Sequence, residues 1–302
     1  MRAELLVELL VGARTPLRGG RLRAVRLRGA RITGRLDLEA VTLGCPLLLQ
    51  DCHLEQPVNL NEARAPVVRL PGCHLPLLAA EQLETRGNLQ LDRRFTATGE
   101  VRLPGAHIGG QLSFIGATVR NDAGAALNAD SLQVDQNVFL SGGFEAVGGG
   151  SGVTLDLRQA RIGGVLLFAP ARLAQTADPQ ARLALDGLTY TGLPVGISSR
   201  EWLRLLREGT RSYAAQPYQQ FAGGHRAAGD DGEVRRILMA QRQAQIDRKA
   251  LTGRADRAWA LLTGLTLGYG YQSGRALLAL VAVATSRPTR RSAREGVAAT
   301  AR

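Results

Sequence analysis

The chain has 302 residues, 45% of them hydrophobic, which is enough for a sizeable core and excludes a wholly disordered polymer. Only 4% are aromatic while glycine reaches 36 residues, so narrow layers of Leu, Val and Ala are favoured over a bulky globule. The formal charge of +12 is unevenly placed: residues 1–195 carry 20 basic and 18 acidic side chains, and residues 196–302 carry 18 and 8. Nine Arg and two Glu fall within residues 1–35, leaving residues 36–195 at −5. A body so weakly acidic is a poor mimic of DNA, and the basic ends point to an anionic partner, nucleic acid or lipid.

In chain order, residues 1–24 read as an N-terminal helical cap. "MRAELLVELLVGA" predicts a short amphipathic helix with Leu5, Leu6, Leu9 and Leu10 along one side. Glu4, Glu8 and the lack of a small-residue cleavage site argue against a secretory signal.

Residues 25–193 repeat. "ARITGRLDL" at 30–38, "AHIGGQLSF" at 106–114 and "ARIGGVLLF" at 160–168 share one pattern of small residue, Ile, Gly and Leu. From Leu27 the apolar residues Ile32, Leu38, Leu43, Leu49, Leu54 and Leu60 follow in steps alternating between five and six. The rhythm returns at Leu103, Ile108, Phe114 and Val119, and at Leu157, Ile162, Phe168 and Leu173. A helix needs steps of three and four, and a sandwich strand needs strict alternation. Steps of five and six fit a solenoid whose short segments each send one large side chain inward before turning a corner. Gly34, Gly109, Gly110, Gly163 and Gly164 stand where the chain must bend, and positive φ is expected there.

On these residues, with "ADSLQ" at 129–133 and "ARI" at 30–32, the segment resembles pentapeptide-repeat proteins. The resemblance implies a right-handed parallel β-solenoid, quadrilateral in section. The six-residue steps and "GGGSG" at 148–152 depart from it, so an irregular section or the triangular coil of bactofilin-like polymers is the alternative. The whole chain resembles a bacterial group that joins such a solenoid to helices and a C-terminal membrane segment, often labelled membrane-associated oxidoreductases. That label implies redox chemistry, and no residue pattern supports it independently.

Residues 194–253 change to helical spacing. "EWLRLLREG" at 201–209 spaces Trp202, Leu205 and Leu206 on a helix; two further helices follow, with Pro217 in a first turn and Asp231 as the expected N-cap after "GDDG". Such a hairpin suits the end of a solenoid, whose last coil otherwise exposes strand edges; docking of a separate protein partner is the other reading.

Residues 254–286 are read as membrane-associating helices. From Ala258 to Thr285 the only charge is Arg275. Two apolar runs of ten residues are split by a Gly-rich break, and each rises only about 15 Å against a hydrocarbon core of roughly 30 Å. A tilted span, a re-entrant or interfacial pair, and a truncated span all fit. The expected membrane contacts are Trp259, Leu261, Leu262, Leu265, Tyr269, Tyr271, Leu277, Leu278, Leu280 and Val281. The expected basic flank is Arg254, Arg257, Arg275, Arg287, Arg290 and Arg291, which suits the anionic inner leaflet at the cytoplasmic face and decides for lipid over nucleic acid. A helix buried on the hairpin is the competing reading. Residues 287–302 read as a disordered basic tail, unlike the continuation the resemblance implies, as in a shortened or frame-shifted ending.

Catalytic patterns are weak. "GYGYQSG" at 268–274 lacks the preceding strand and the acidic residue about 20 positions later that a dinucleotide fold requires. Cys45, Cys52 and Cys73 form no CxxC pair; Cys52 and Cys73 take the small inward place, and His53, His74 and His107 the outward place beside it, so no metal is expected. Asp37, Asp130, Asp135, Asp156 and Asp186 are candidates to gather across coils as carboxylates do in polysaccharide-cleaving β-helices, or else are solvated outward residues. The sequence therefore predicts a membrane-associated solenoid scaffold for an unidentified protein partner, with no cofactor. An oxidoreductase and a bactofilin-like polymer are the alternatives.

Overall fold

The computed structural model describes residues 1–12 and 24–248. Residues 25–184 wind into a parallel β-solenoid of about seven turns whose strands, two to four residues long, stack into four sheets. Three sheets hold seven strands and the fourth holds five. They are called faces 1 to 4 in the order the chain first meets them, beginning at Val25–Arg28, Arg31–Ile32, Leu36–Asp37 and Arg64–Ala65. On face 4 an isolated bridge from Thr42 to Arg64 precedes the first strand, and one from Arg161 to Thr189 follows the last.

The ladder explains the five–six rhythm. Four segments of alternating five and six residues close one coil of 22, which is the spacing between register partners Val25 and Leu47 on face 1. The column continues through Val68, Leu89, Leu112, Val138 and Leu166, at spacings of 21, 21, 23, 26 and 28 residues. All seven are buried, as are Ile32, Ile108 and Ile162. Like residues therefore stack on like residues, forming one continuous apolar column; full burial of each Leu or Ile contributes roughly 1.5–3 kcal/mol.

The three related nonapeptides do not occupy equivalent corners. "ARITGRLDL" turns from face 2 to face 3, whereas the copies at 106–114 and 160–168 turn from face 4 to face 1. The corner glycines also differ in their physical cause. Gly34 has φ of 84°, as expected. Gly109 and Gly163 are absent from the positive-φ residues and are required for space instead: a Cβ would stand 2.7 Å from the Arg86 carbonyl oxygen and 2.5 Å from that of Asp135. These corners are tight between coils, not within one.

Each end carries helices. Helix α1 (Ala3–Gly12) covers the first coil with Ala3, Leu6 and Leu10 buried, while Leu5 and Leu9 face outward at 50% and 47% exposure. The inward face thus runs through positions 3, 6 and 10, and not through all four leucines. Backbone bonds from Thr33 N–H to the Met1 carbonyl and from Ala3 N–H to the Thr33 carbonyl, both 2.9 Å, tie the helix to face 2. After the last strand come α2 (Ser199–Glu208), α3 (Gln216–Ala227) and α4 (Asp231–Asp247). Ser198 and Glu201 form a reciprocal capping box at α2, and the hydrogen bonds from Ser198 hold the Glu201 carboxyl below its ordinary value. Asp230, one residue before the expected Asp231, accepts the Glu233 N–H at 3.0 Å and caps α4. Trp202 of α2 packs edge-on against Phe168 of the solenoid with ring centroids 5.3 Å apart, and against Tyr190 at 6.4 Å.

Candidate functional site

The coils widen at one corner. Ala97 is followed by three residues before face 3 resumes at Val101, whereas Val119, Ala146 and Leu173 are followed by seven, eight and nine before Leu127, Leu155 and Leu183. Small residues let these longer loops nest. Gly150 has φ of 58°, and Gln175 donates from Nε2 to the carbonyls of Gly152 and Gly149 at 2.6 and 3.1 Å. Arg211, after α2, pairs with Asp178 at 2.9 Å and donates to the Ser151 carbonyl at 2.5 Å, fastening the helical segment to the loops. The Asp178 carboxyl lies below its ordinary value because the Gln180 N–H and then Arg211 bond to it.

Between these loops, face 3 and the start of α3 lies a cleft of about 440 Å3. Leu183, Leu185, Leu206 and Tyr218 supply apolar lining; Asn128, Asp156, Arg158 and Asp186 supply polar lining. Arg158 is its electrostatic centre. Its Nε lies 2.9 Å from Asp156 Oδ1 and its Nη2 lies 2.6 Å from Oδ2, a two-pronged pair on a carboxylate whose side chain is 6% exposed. Asp130, one coil earlier, is 3.9 Å from the same guanidinium, and Asp186 acts on it from the following coil. The Asp156 hydrogen bond and charge push the Arg158 pKa up, so the cation is permanent. The arrangement can orient a polar ligand, but its buried carboxylate is committed to Arg158.

Three of the five aspartates singled out from the sequence therefore converge on Arg158: Asp156 two residues before it in the chain, and Asp130 and Asp186 level with it in the coils before and after. The other two do not. Asp37 accepts from Asn59 Nδ2 at 2.9 Å near the first coil, and Asp135 sits 2.9 Å from His107 Nε2 on face 4. Cys45, Cys52 and Cys73 are free, buried thiols; burial pushes Cys73 up to about 12, so it keeps its proton. His53 and His74 stack outward on face 2 with ring centroids 6.4 Å apart. Among the described residues no three His, Cys, Asp or Glu could together hold a metal ion. The segment from Trp259 to Val281, its arginine flank and "GYGYQSG" lie outside the described residues. Among the described residues no helix is long and apolar enough to cross a membrane.

Sequence reading missed Arg158 as the hub, though "LDLR" at 155–158 places Asp156 and Arg158 on the same outward side of an extended segment. It also missed a Ser199, His225 and Asp230 cluster, which no local motif announces. Ser199 Oγ is 3.3 Å from His225 Nε2, and His225 Nδ1 is 3.7 Å from Asp230 Oδ2. The second distance is too long for a hydrogen bond, Asp230 already caps α4, and the buried imidazole packs edge-on to Phe221 at 4.8 Å. These contacts hold α2 against α3.

The fold thus defines the class: a parallel β-solenoid with helices after its last coil. Compared with known proteins, the chain matches no family model, no curated protein and no solved structure.

Proposed function

We propose that the chain is a non-catalytic interaction scaffold, a pentapeptide-repeat-like rod held at the cytoplasmic face of the cell membrane by residues 254–302. The observation that carries the scaffold reading is the cleft beside α3, where the buried carboxylate Asp156 is committed to a two-pronged pair with Arg158 and Asp130 stands 3.9 Å from the same cation. A permanent cation between coils, flanked by leucines and Tyr218, makes a surface for recognition by a protein partner. The membrane reading is supported by the apolar stretch at 258–285 with its flanking arginines.

The test is fractionation of the full chain beside a variant ending at residue 253. Apolar burial at about 25 cal/mol per Å2 resists salt, whereas each Arg near anionic headgroups contributes about 1 kcal/mol and fades as salt rises. The full chain is expected to sediment with membranes, high salt to release only part of it, and the shorter chain to stay in solution with its β-structure intact. Recovery of the full chain in the soluble fraction at low salt would defeat the membrane reading.

A further inference from the structure

We propose that face 1 carries a site for a phosphate-bearing group, formed by Arg26, Arg69 and Arg93. The three arginines line one cleft of about 400 Å3 on the outer side of the first coils, together with Gln50 and Gln90. Arg26 and Arg69 stand in a single outward column, Arg26 beside Leu48 and Leu48 beside Arg69. Two strand spacings, roughly 10 Å, separate their backbones, so both long side chains can reach one anion. Planar guanidinium groups match the oxygen geometry of phosphate and hold it through paired hydrogen bonds.

Two independent features mark this face. The first is pairing. Strand arginines of the early coils on the other faces are spent on carboxylates of neighbouring coils: Arg31 on Glu55 at 2.5 Å, Arg64 on Glu84 at 2.9 Å and Arg102 on Glu81 at 2.5 Å. Arg26, Arg69 and Arg93 have no carboxylate partner among the described residues. Asp92 also lines the cleft, but its Oδ1 is turned to the next coil, where it accepts from Ser113 Oγ at 2.5 Å and from the Ile115 N–H at 3.0 Å; Asp51 lies 3.5 Å from Arg28.

The second feature is the backbone at Arg93. Its φ is 53°, in the left-handed region, and the same corner in the coils before and after is filled by Gly72 and Gly116 with φ of 67° and 69°. Arg93 thus holds a left-handed corner that glycine fills in the adjacent coils, as Asp51 does two coils earlier with φ of 52°, and this sets it at the edge of the cleft. The ligand is localised rather than a long polyanion, because the arginines meet in one cleft of about 400 Å3 that Asp92 also lines.

The site is independent of the C-terminal segment, and the experiment keeps the two apart. The full chain, an Arg26→Gln/Arg69→Gln variant and an Arg161→Gln/Arg172→Gln control are melted in phosphate and in chloride of equal ionic strength. Each is also sedimented with phosphatidylcholine vesicles, with and without phosphatidic acid. If the phosphate comes from a free ligand, phosphate raises the midpoint of parent and control by about 2–4 °C and leaves the Arg26/Arg69 variant unmoved. If it comes from a lipid headgroup, phosphatidic acid raises the bound fraction of parent and control about fivefold, and the variant loses that gain. Binding to phosphatidylcholine alone reports the C-terminal segment and is the same in all three chains. Absence of both gains in the parent, or retention of the parent's gain by the Arg26/Arg69 variant, overturns the site.

Discussion

At Ile108 the side chain is fully buried between Thr85 and Val134, its register partners in the coils before and after. An Ile108→Asp substitution places a charge in an apolar column that offers it no partner. The cost is several kcal/mol, comparable with the roughly 5–15 kcal/mol that holds a whole domain together. The variant is expected to lose its cooperative thermal transition, read by circular dichroism; melting at the parent's midpoint would show that position 108 does not face the core. The inward identity of Ile108 is legible from the sequence because it follows from a local rhythm. The role of Arg158 is not, since its partners Asp130 and Asp186 each lie 28 residues away and meet it only through register.

Helix α3 shows how an element is seated. Gly223 and Gly224 are adjacent, and helix propensity treats them alike. Their surroundings do not. A Cβ on Gly223 meets nothing within 4 Å, whereas one on Gly224 would lie 2.6 Å from the Gly192 carbonyl oxygen of the solenoid's last turn. Gly223→Ala is therefore expected to stabilise the protein by about 0.5–1 kcal/mol, the usual gain for Ala over Gly in a helix. Gly224→Ala is expected to destabilise it by about 1–3 kcal/mol, because backbone must move. Denaturant melts of the two single variants check this, and equal midpoints would show that α3 does not approach the coil so closely. The same contrast appears at the corners, where Gly34 is required by its φ and Gly109 by the neighbouring coil.

For the whole molecule the decisive question is how a rod of parallel strands avoids stacking onto further copies. An open coil presents unpaired backbone groups and apolar side chains at both ends. At the N-terminal end α1 lays Ala3, Leu6 and Leu10 over the first coil, and the Arg2–Thr33 bridge occupies part of the face 2 edge. Removal of residues 1–12 is expected to uncover that end and give species that grow with concentration in sedimentation velocity. A deletion variant with the parent's sedimentation profile would mean that α1 does not protect the end. Filament formation by the parent itself would favour a polymer-forming role over the scaffold.

The amino-acid sequence alone determined the coil: the five–six rhythm, the inward identity of Ile32, Ile108 and Ile162, and the change to helices after Pro194 are each encoded within a few neighbouring residues. Only the tertiary structure decided which outward residues share a site. Coil length drifts from 21 to 28 residues, so the residue above any given side chain depends on every corner the chain has turned before it. That accumulated register brings Asp130 and Asp186 to Arg158, leaves Arg26 and Arg69 without a carboxylate, and sends Asp37 and Asp135 to separate places.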